Sequence, residues 1–136
     1  MDYLKTKRPS LRHIIVMPIV SSLIIPLVIL DIWVEFYHRL CFPLCKISFV
    51  KRSKYIIIDR HKLKYLNLLQ KIFCVYCGYG NGVINYWKEI AGRTEKYWCG
   101  IKHKRNRKVI QQYHQKKLKF AKYNNEKDFK KKYMRK

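Results

Sequence analysis

Negative charge is what this sequence has least of. Eight Asp and Glu stand against 31 Lys and Arg in 136 residues, a formal net charge of +23. So few carboxylates disfavour any site that gathers many of them. Between residues 39 and 98 only Asp59, Glu89 and Glu95 are on offer. The basic excess favours polyanionic partners: phosphates, anionic lipid heads or nucleic acid. Abundant Lys, Ile, Asn and Tyr, as low-GC coding produces, is a competing source of the same charge.

Charge of either sign is missing from residues 14–30, IIVMPIVSSLIIPLVIL. A helix crossing a bilayer needs about 17–25 mainly apolar residues. The run predicts a transmembrane or re-entrant anchor over residues 14–34, after a basic tail over residues 1–13 that holds Lys5, Lys7, Arg8 and Arg12. Asp31 then lies near an interface, where Trp33, Phe36 and Tyr37 suit an aromatic belt. No small-x-small cleavage site follows Leu30, which weighs against a removable signal peptide. No charge marks a wet face, which weighs against a buried helix of a soluble domain. Pro18 and Pro26 each kink a helix, so a re-entrant hairpin stands beside a straight span. Local Lys and Arg counts favour the N-terminus inside; the C-terminal charge and the thiols favour a cytosolic C-terminal part, which is the placement adopted.

An even cysteine count is lacking too. Five Cys leave at least one without a partner in the chain, and thiols that stay free point to a reducing compartment. Four residues form the pattern Cys74-x2-Cys77-x21-Cys99-x3-His103. Two local pairs of soft ligands are what a tetrahedral zinc or iron ion takes, so a structural Cys3His site is expected. Buried Cys without metal, and a redox or reactive thiol pair, are the alternatives; the strand–helix setting of a thioredoxin-like motif is absent. Gly78, Gly80 and Gly82 suggest a turn holding Cys74 and Cys77, with backbone N–H groups aimed at the sulfurs. The strand and lysine of a phosphate loop are missing there, which excludes a nucleotide site. A helical run of ~17 residues, ~25 Å long, separates the two pairs, so convergence needs a bend, for which Gly92 is the candidate.

A second constellation lies where the apolar run ends. Asp31, Glu35 and His38 share one helical face. Glu35-x-x-His38 is also a ligand spacing of di-iron bundles. These three, with His61, are the alternative metal site and would suit a membrane-bound oxidoreductase. The plainer reading has them facing water or lipid heads. Cys41 and Cys45 follow at helical spacing, as acylation sites, extra ligands or small apolar residues. Residues 46–58 read as a short β-hairpin with a basic tip. Asp59 is the expected N-cap of a helix over residues 60–73. In the next segment Trp87, Ile90, Thr94 and Trp98 fall on one stripe.

Residues 102–136 hold 15 Lys or Arg and two acids, Glu126 and Asp128, with Tyr and Phe interleaved. Such a tail can track a nucleic-acid strand, lie on an anionic membrane, or simply be solvated. With an anchor already in the chain, lipid heads rank ahead of nucleic acid, and a merely solvated tail ranks ahead of both. No small-molecule substrate is identifiable.

Three phrases carry a resemblance: Tyr-Cys-Gly-Tyr-Gly-Asn-Gly (76–82), Glu-Ile-Ala-Gly-Arg-Thr-Glu-Lys-Tyr-Trp-Cys (89–99) and Ile-Lys-His (101–103). With Phe-Tyr-His-Arg (36–39) and Asp-Arg-His-Lys-Leu (59–63), they make residues 30–103 resemble a family of small uncharacterised bacterial membrane proteins. The resemblance implies a bacterial membrane protein and assigns no catalytic residue. The expected fold is mainly α: one N-terminal membrane anchor helix, a small α-rich Cys/His domain over residues 35–104 with a candidate short β-hairpin, and a basic tail over residues 105–136. The expected role is structural metal binding, with oxidoreduction and nucleic-acid binding as alternatives.

Overall fold

The computed structural model describes residues 11–108 and 110–134. Lys5, Lys7 and Arg8 of the basic N-terminal stretch lie outside them. The chain is mainly helical: α1 (Leu11–Ser22), α2 (Ile24–Leu44), α3 (Leu68–Trp98), α4 (Tyr113–Lys117) and α5 (Glu126–Tyr133). Among the described residues there is no strand, only an isolated parallel bridge between Ile101 and Ala121.

The break between α1 and α2 falls where Pro26 dictates. Its ring crowds the carbonyl of Ser22, four residues back, and it has no N–H to offer that carbonyl. Ser22 Oγ donates instead to the Ile19 carbonyl at 2.7 Å, and Leu23 N donates to Val20 O at 3.3 Å. The chain does not double back at this break. Residues 11–44 form one helix long and apolar enough to cross a membrane, with a most apolar stretch of mean hydropathy 2.5.

Asn67 starts α3. Its side chain accepts from Gln70 N at 2.9 Å, and its own N–H donates to Gln70 Oε1 at 3.0 Å. This capping box satisfies two of the free donors at a helix start. It corrects the expected helix from residue 60: Arg60–Lys62 makes only a single 3-10 turn, and Asp59 makes no side-chain cap. From Leu68 to Trp98 α3 is one helix of 31 residues. The expected glycine turn at residues 78–82 and the bend at Gly92 are both absent, because packing against neighbours supports the helix through its glycines.

Side-chain partners rise together along α1–α2 and α3. Tyr76 meets Val20, Tyr79 meets Asp31, Tyr86 meets Glu35, and Thr94 meets Tyr37, with separations of 48 to 57 residues. The helices are therefore parallel, and residues 45–67 must carry the chain back along their length. Residues 55–58 make this return lying on α3, Tyr55 closing the preceding 3-10 turn and residues 56–58 following without regular structure. At Gly82 a Cβ would stand 2.8 Å from Ile56 Cα and 3.0 Å from Tyr55 O; at Gly78 it would stand 3.1 Å from Ile57 O. The two glycines, one turn apart, make a groove that admits backbone. The expected hairpin over residues 46–58 is thus corrected. The later half packs on a helix, and the basic half winds into a 3-10 turn, Arg52–Lys54, that aims Arg52 inward.

Phe42, Val50, Tyr86 and Ile90 form the core, with Val34, Tyr37, Ile47, Tyr55 and Trp87 packed around it. Each such large apolar side chain contributes roughly 1.5–3 kcal/mol by leaving water. The C-terminal region docks on the last third of α3. Phe120 and Ala121 are buried, Ala121 N donates to Gly100 O at 2.8 Å, and His114 lies over Gly92. Gly100, at φ +63°, makes the turn that allows this.

Candidate functional site

The face of α2 that carries Asp31, Glu35 and His38 turns onto α3 and the return segment. Asp31 and His38 are buried there and Glu35 is half-buried, in place of the expected open face. Asp31 and His38 are 5% and 0% exposed. Arg52 embraces the Asp31 carboxylate with both terminal nitrogens, Nη1 reaching Oδ1 at 2.8 Å. Tyr79 donates to Asp31 Oδ2 at 2.8 Å and Trp87 Nε1 to Oδ1 at 3.3 Å. Arg52 also lies 3.6 Å from Glu35 and 5.4 Å over the Tyr86 ring. Hydrogen bonding to Asp31 raises the guanidinium further above its already basic range, so Arg52 is a permanent cation.

A directional chain runs beside this pair. Val50 N–H donates to His38 Nε2 at 3.1 Å, so that nitrogen carries the lone pair. The ring proton then sits on Nδ1 and is donated to the Tyr86 oxygen at 2.9 Å. Tyr86 in turn donates its single proton to Glu35 Oε2 at 2.9 Å, and Arg39 holds Oε1 at 2.8 Å. Both His38 nitrogens and the Tyr86 hydroxyl are spent on protein partners. Two carboxylates are balanced by two arginines, Arg52 on Asp31 and Glu35 and Arg39 on Glu35. A buried network satisfied in this way fixes one arrangement of its members. Its chemistry is that of a lock between α2, α3 and the return segment, not that of an open ligand site. Among the described residues no group of three or more His, Cys, Asp or Glu is placed to hold a metal ion.

The Cys and His pattern does not converge either. Cys74 and Cys77 sit on one face of α3, the first buried and the second exposed. Cys99 caps the same helix at its other end, and His103 is exposed beyond it, 3.9 Å from Glu95. The 22 residues from Cys77 to Cys99 span about 33 Å at ~1.5 Å each. The structure therefore does not bring these four residues together within one chain. His61, the further ligand of the alternative set, lies on the Arg60–Lys62 turn against the start of α3, with its Nδ1 buried and unpartnered. Tyr86 stands farther along α3, in its middle third. All five cysteines are free thiols.

A second charged cluster ties the C-terminal region down. Glu89, 9% exposed, accepts from Arg93 at 3.0 Å and from Lys117 at 3.0 Å. Burial pushes its carboxyl up, but the bonds from Lys117 and Arg93 together outweigh that and hold it below its ordinary range. The same contact pushes Lys117 up. Glu95 pairs with His114 and accepts from Gln115 at 2.7 Å.

The sequence named Asp31, Glu35 and His38 but missed Arg52, Tyr79 and Tyr86. Tyr79 and Tyr86 are seven apart, which puts them on one side of a helix; that signal needed an unbroken α3 to be read. Comparison with protein-family models, with characterised proteins and with solved structures gave no match.

Proposed function

We propose that this chain is an integral membrane protein that holds a basic C-terminal surface against anionic lipid heads. One observation carries the reading. Three stretches without a charged residue, distant in sequence, lie side by side: residues 14–30, residues 55–58 and residues 72–87. Seventeen and sixteen helical residues at ~1.5 Å rise make an uncharged belt about 24–26 Å high. That is close to the ~30 Å hydrocarbon core. Charge collects at both ends of the belt. Arg12, Arg60, Lys62 and Lys64 stand at one end, and Arg39, Arg52, Lys54 and Lys88 at the other. Ile14, Ile19, Ile29, Leu68, Leu69 and Ile72 present apolar side chains on its outside. The non-helical backbone of residues 56–58 is compatible with this depth because it lies in the groove of α3; open backbone in lipid would be costly.

The acids add to the argument. Of the seven described carboxylates, Asp31, Glu35, Glu89, Glu126 and Asp128 pair with Lys or Arg, and Glu95 pairs with His114. The basic side chains left over face outward and are the charge an anionic surface meets, each contributing about 1 kcal/mol near a membrane. Free thiols and the dense base after α3 favour a cytoplasmic C-terminal part.

Cys77 and Cys99 are both exposed on the protein surface, and a bilayer around residues 72–87 would cover the first and leave the second open. The wild-type protein in vesicles, with a charged maleimide on both sides of the membrane, should be modified at Cys99 and protected at Cys77, read by peptide mass mapping. Equal labelling of the two would sink the membrane placement. In intact cells Cys99 should label only after permeabilisation.

A further inference from the structure

A cavity of about 1000 Å3 opens between α3, the return segment and residues 110–117. It lies beside the last third of α3, next to the end of the belt where Arg52 meets Asp31. Its walls carry two carboxylates and three lysines. Glu89 is already held by Lys117 and Arg93, and Glu95 by His114 and Gln115. Lys54 and Lys88, both exposed, have no acidic partner among the described residues. The net charge offered to the cavity is therefore positive. Asn85, Gln111 and Gln112 add uncharged donors around it. Lysine is a point-charge partner for phosphate, and amide donors complete such a shell. The volume falls at the upper end of the ~300–1,000 Å3 typical of small-ligand sites.

Building on the membrane reading, we infer that this cavity binds the phosphate of an anionic phospholipid headgroup, with Lys54 and Lys88 as its cationic contacts. The lipid's acyl chains would lie along the belt, and its phosphate would reach the cavity from the headgroup level that Lys54 marks. The site differs from general attraction to a charged surface: two lysines matter, and the many others do not.

The probe is a water-soluble short-chain phosphatidylglycerol, titrated onto the full chain in neutral detergent, with inorganic phosphate in parallel. Lys54→Gln/Lys88→Gln should weaken phosphatidylglycerol binding roughly tenfold or more. Lys127→Gln/Lys131→Gln, an equal loss of charge on α5, should leave it within about twofold. Both lysines of the first pair are exposed, so an unchanged melting temperature certifies the fold. Equal weakening by the two pairs would reduce the effect to bulk charge and overturn the site. Inorganic phosphate binding as tightly as the lipid would overturn the lipid as ligand. Failure of the membrane placement is distinguishable: Cys77 would label, whatever the lysines do.

Discussion

Replacing Gly82 by Ala tests the groove on which the parallel arrangement depends. In a helix interior Ala is favoured over Gly by about 1 kcal/mol, so an empty neighbourhood would make this substitution stabilising. The neighbourhood is not empty. The new methyl would meet Ile56 Cα at 2.8 Å, Tyr55 O at 3.0 Å and Ile56 Cγ1 at 3.1 Å, where ordinary contact begins at 3.4 Å. Two of these atoms are backbone, so no rotamer change relieves them. The return segment must withdraw by about 0.6 Å, the difference between 3.4 and 2.8 Å. It is tied at Arg52 to Asp31 on one side and turns onto α3 at Arg60–Lys62 on the other. Overpacking of this kind costs about 1–3 kcal/mol, which exceeds or cancels the helix gain. Gly80 is the internal control. Its Cβ would have a single neighbour, Leu27 Cδ1 at 4.0 Å, so Gly80→Ala should stabilise by about 1 kcal/mol. The two variants should thus differ by roughly 1–3 kcal/mol. At about 4 °C per kcal/mol for a chain of this size, that is roughly 4–12 °C in the melting temperature. Thermal unfolding in one detergent, followed by circular dichroism, measures it. Equal shifts for Gly80→Ala and Gly82→Ala would refute the groove and the placement of residues 55–58.

Arg52→Met leaves the Asp31 carboxylate buried without its cation and should cost about 3 kcal/mol in the same unfolding assay. Arg52→Lys should recover only part of that, since an ammonium cannot bridge both carboxylate oxygens; a neutral Arg52→Met would show that the lock carries no weight. Glu89 sets an acid limit. Its folded carboxyl titrates below the ordinary value of 4.5, so its contribution is complete above that pH and lost as pH falls through the folded value. Lys117, raised above 10.5, loses its contribution only as pH climbs past that value. Glu89→Gln should therefore be less stable than wild type at pH 7 and should flatten the decline below pH 4.5; an unchanged acid profile would detach the pair from stability.

The long apolar helix was legible because its signal is one-dimensional. Seventeen residues without a charge need no partner to be noticed, and α1 and α2 occupy them. Residues 72–87 are equally free of charge, yet their glycines, Asn81 and Tyr side chains dilute the hydropathy. The glycines were read as a turn because Gly is a poor helix former in isolation. Here the helix keeps Gly78, Gly82 and Gly92 where something must approach: the backbone of Tyr55 and Ile57 at Gly82 and Gly78, and the His114 side chain at Gly92. Propensity describes the helix alone, and tertiary contact decided this one. The same oversight hid the return segment. Alternation along residues 46–58 reports only that one side is covered, not whether a strand or a helix covers it.

The site was half legible for a related reason. Spacing of four and three put Asp31, Glu35 and His38 on one face, and that holds. What the face meets was open, and local spacing cannot answer it. Arg52, from fourteen residues beyond His38, supplies the charge that would otherwise have invited a metal ion. The Cys and His pattern failed on length. Its pairs were matched as ligands by type and by local spacing, but a tetrahedral site demands that they meet. An unbroken α3 carries Cys99 about 33 Å from Cys77. Helix continuity therefore decides both constellations at once. It separates the thiols, and it brings Tyr79, Tyr86 and Trp87 into register on the buried face of α2. The residues that looked most like a metal site are spread along a structural beam. Those at the end of the apolar helix are locked to one another by an arginine, two tyrosines and a tryptophan.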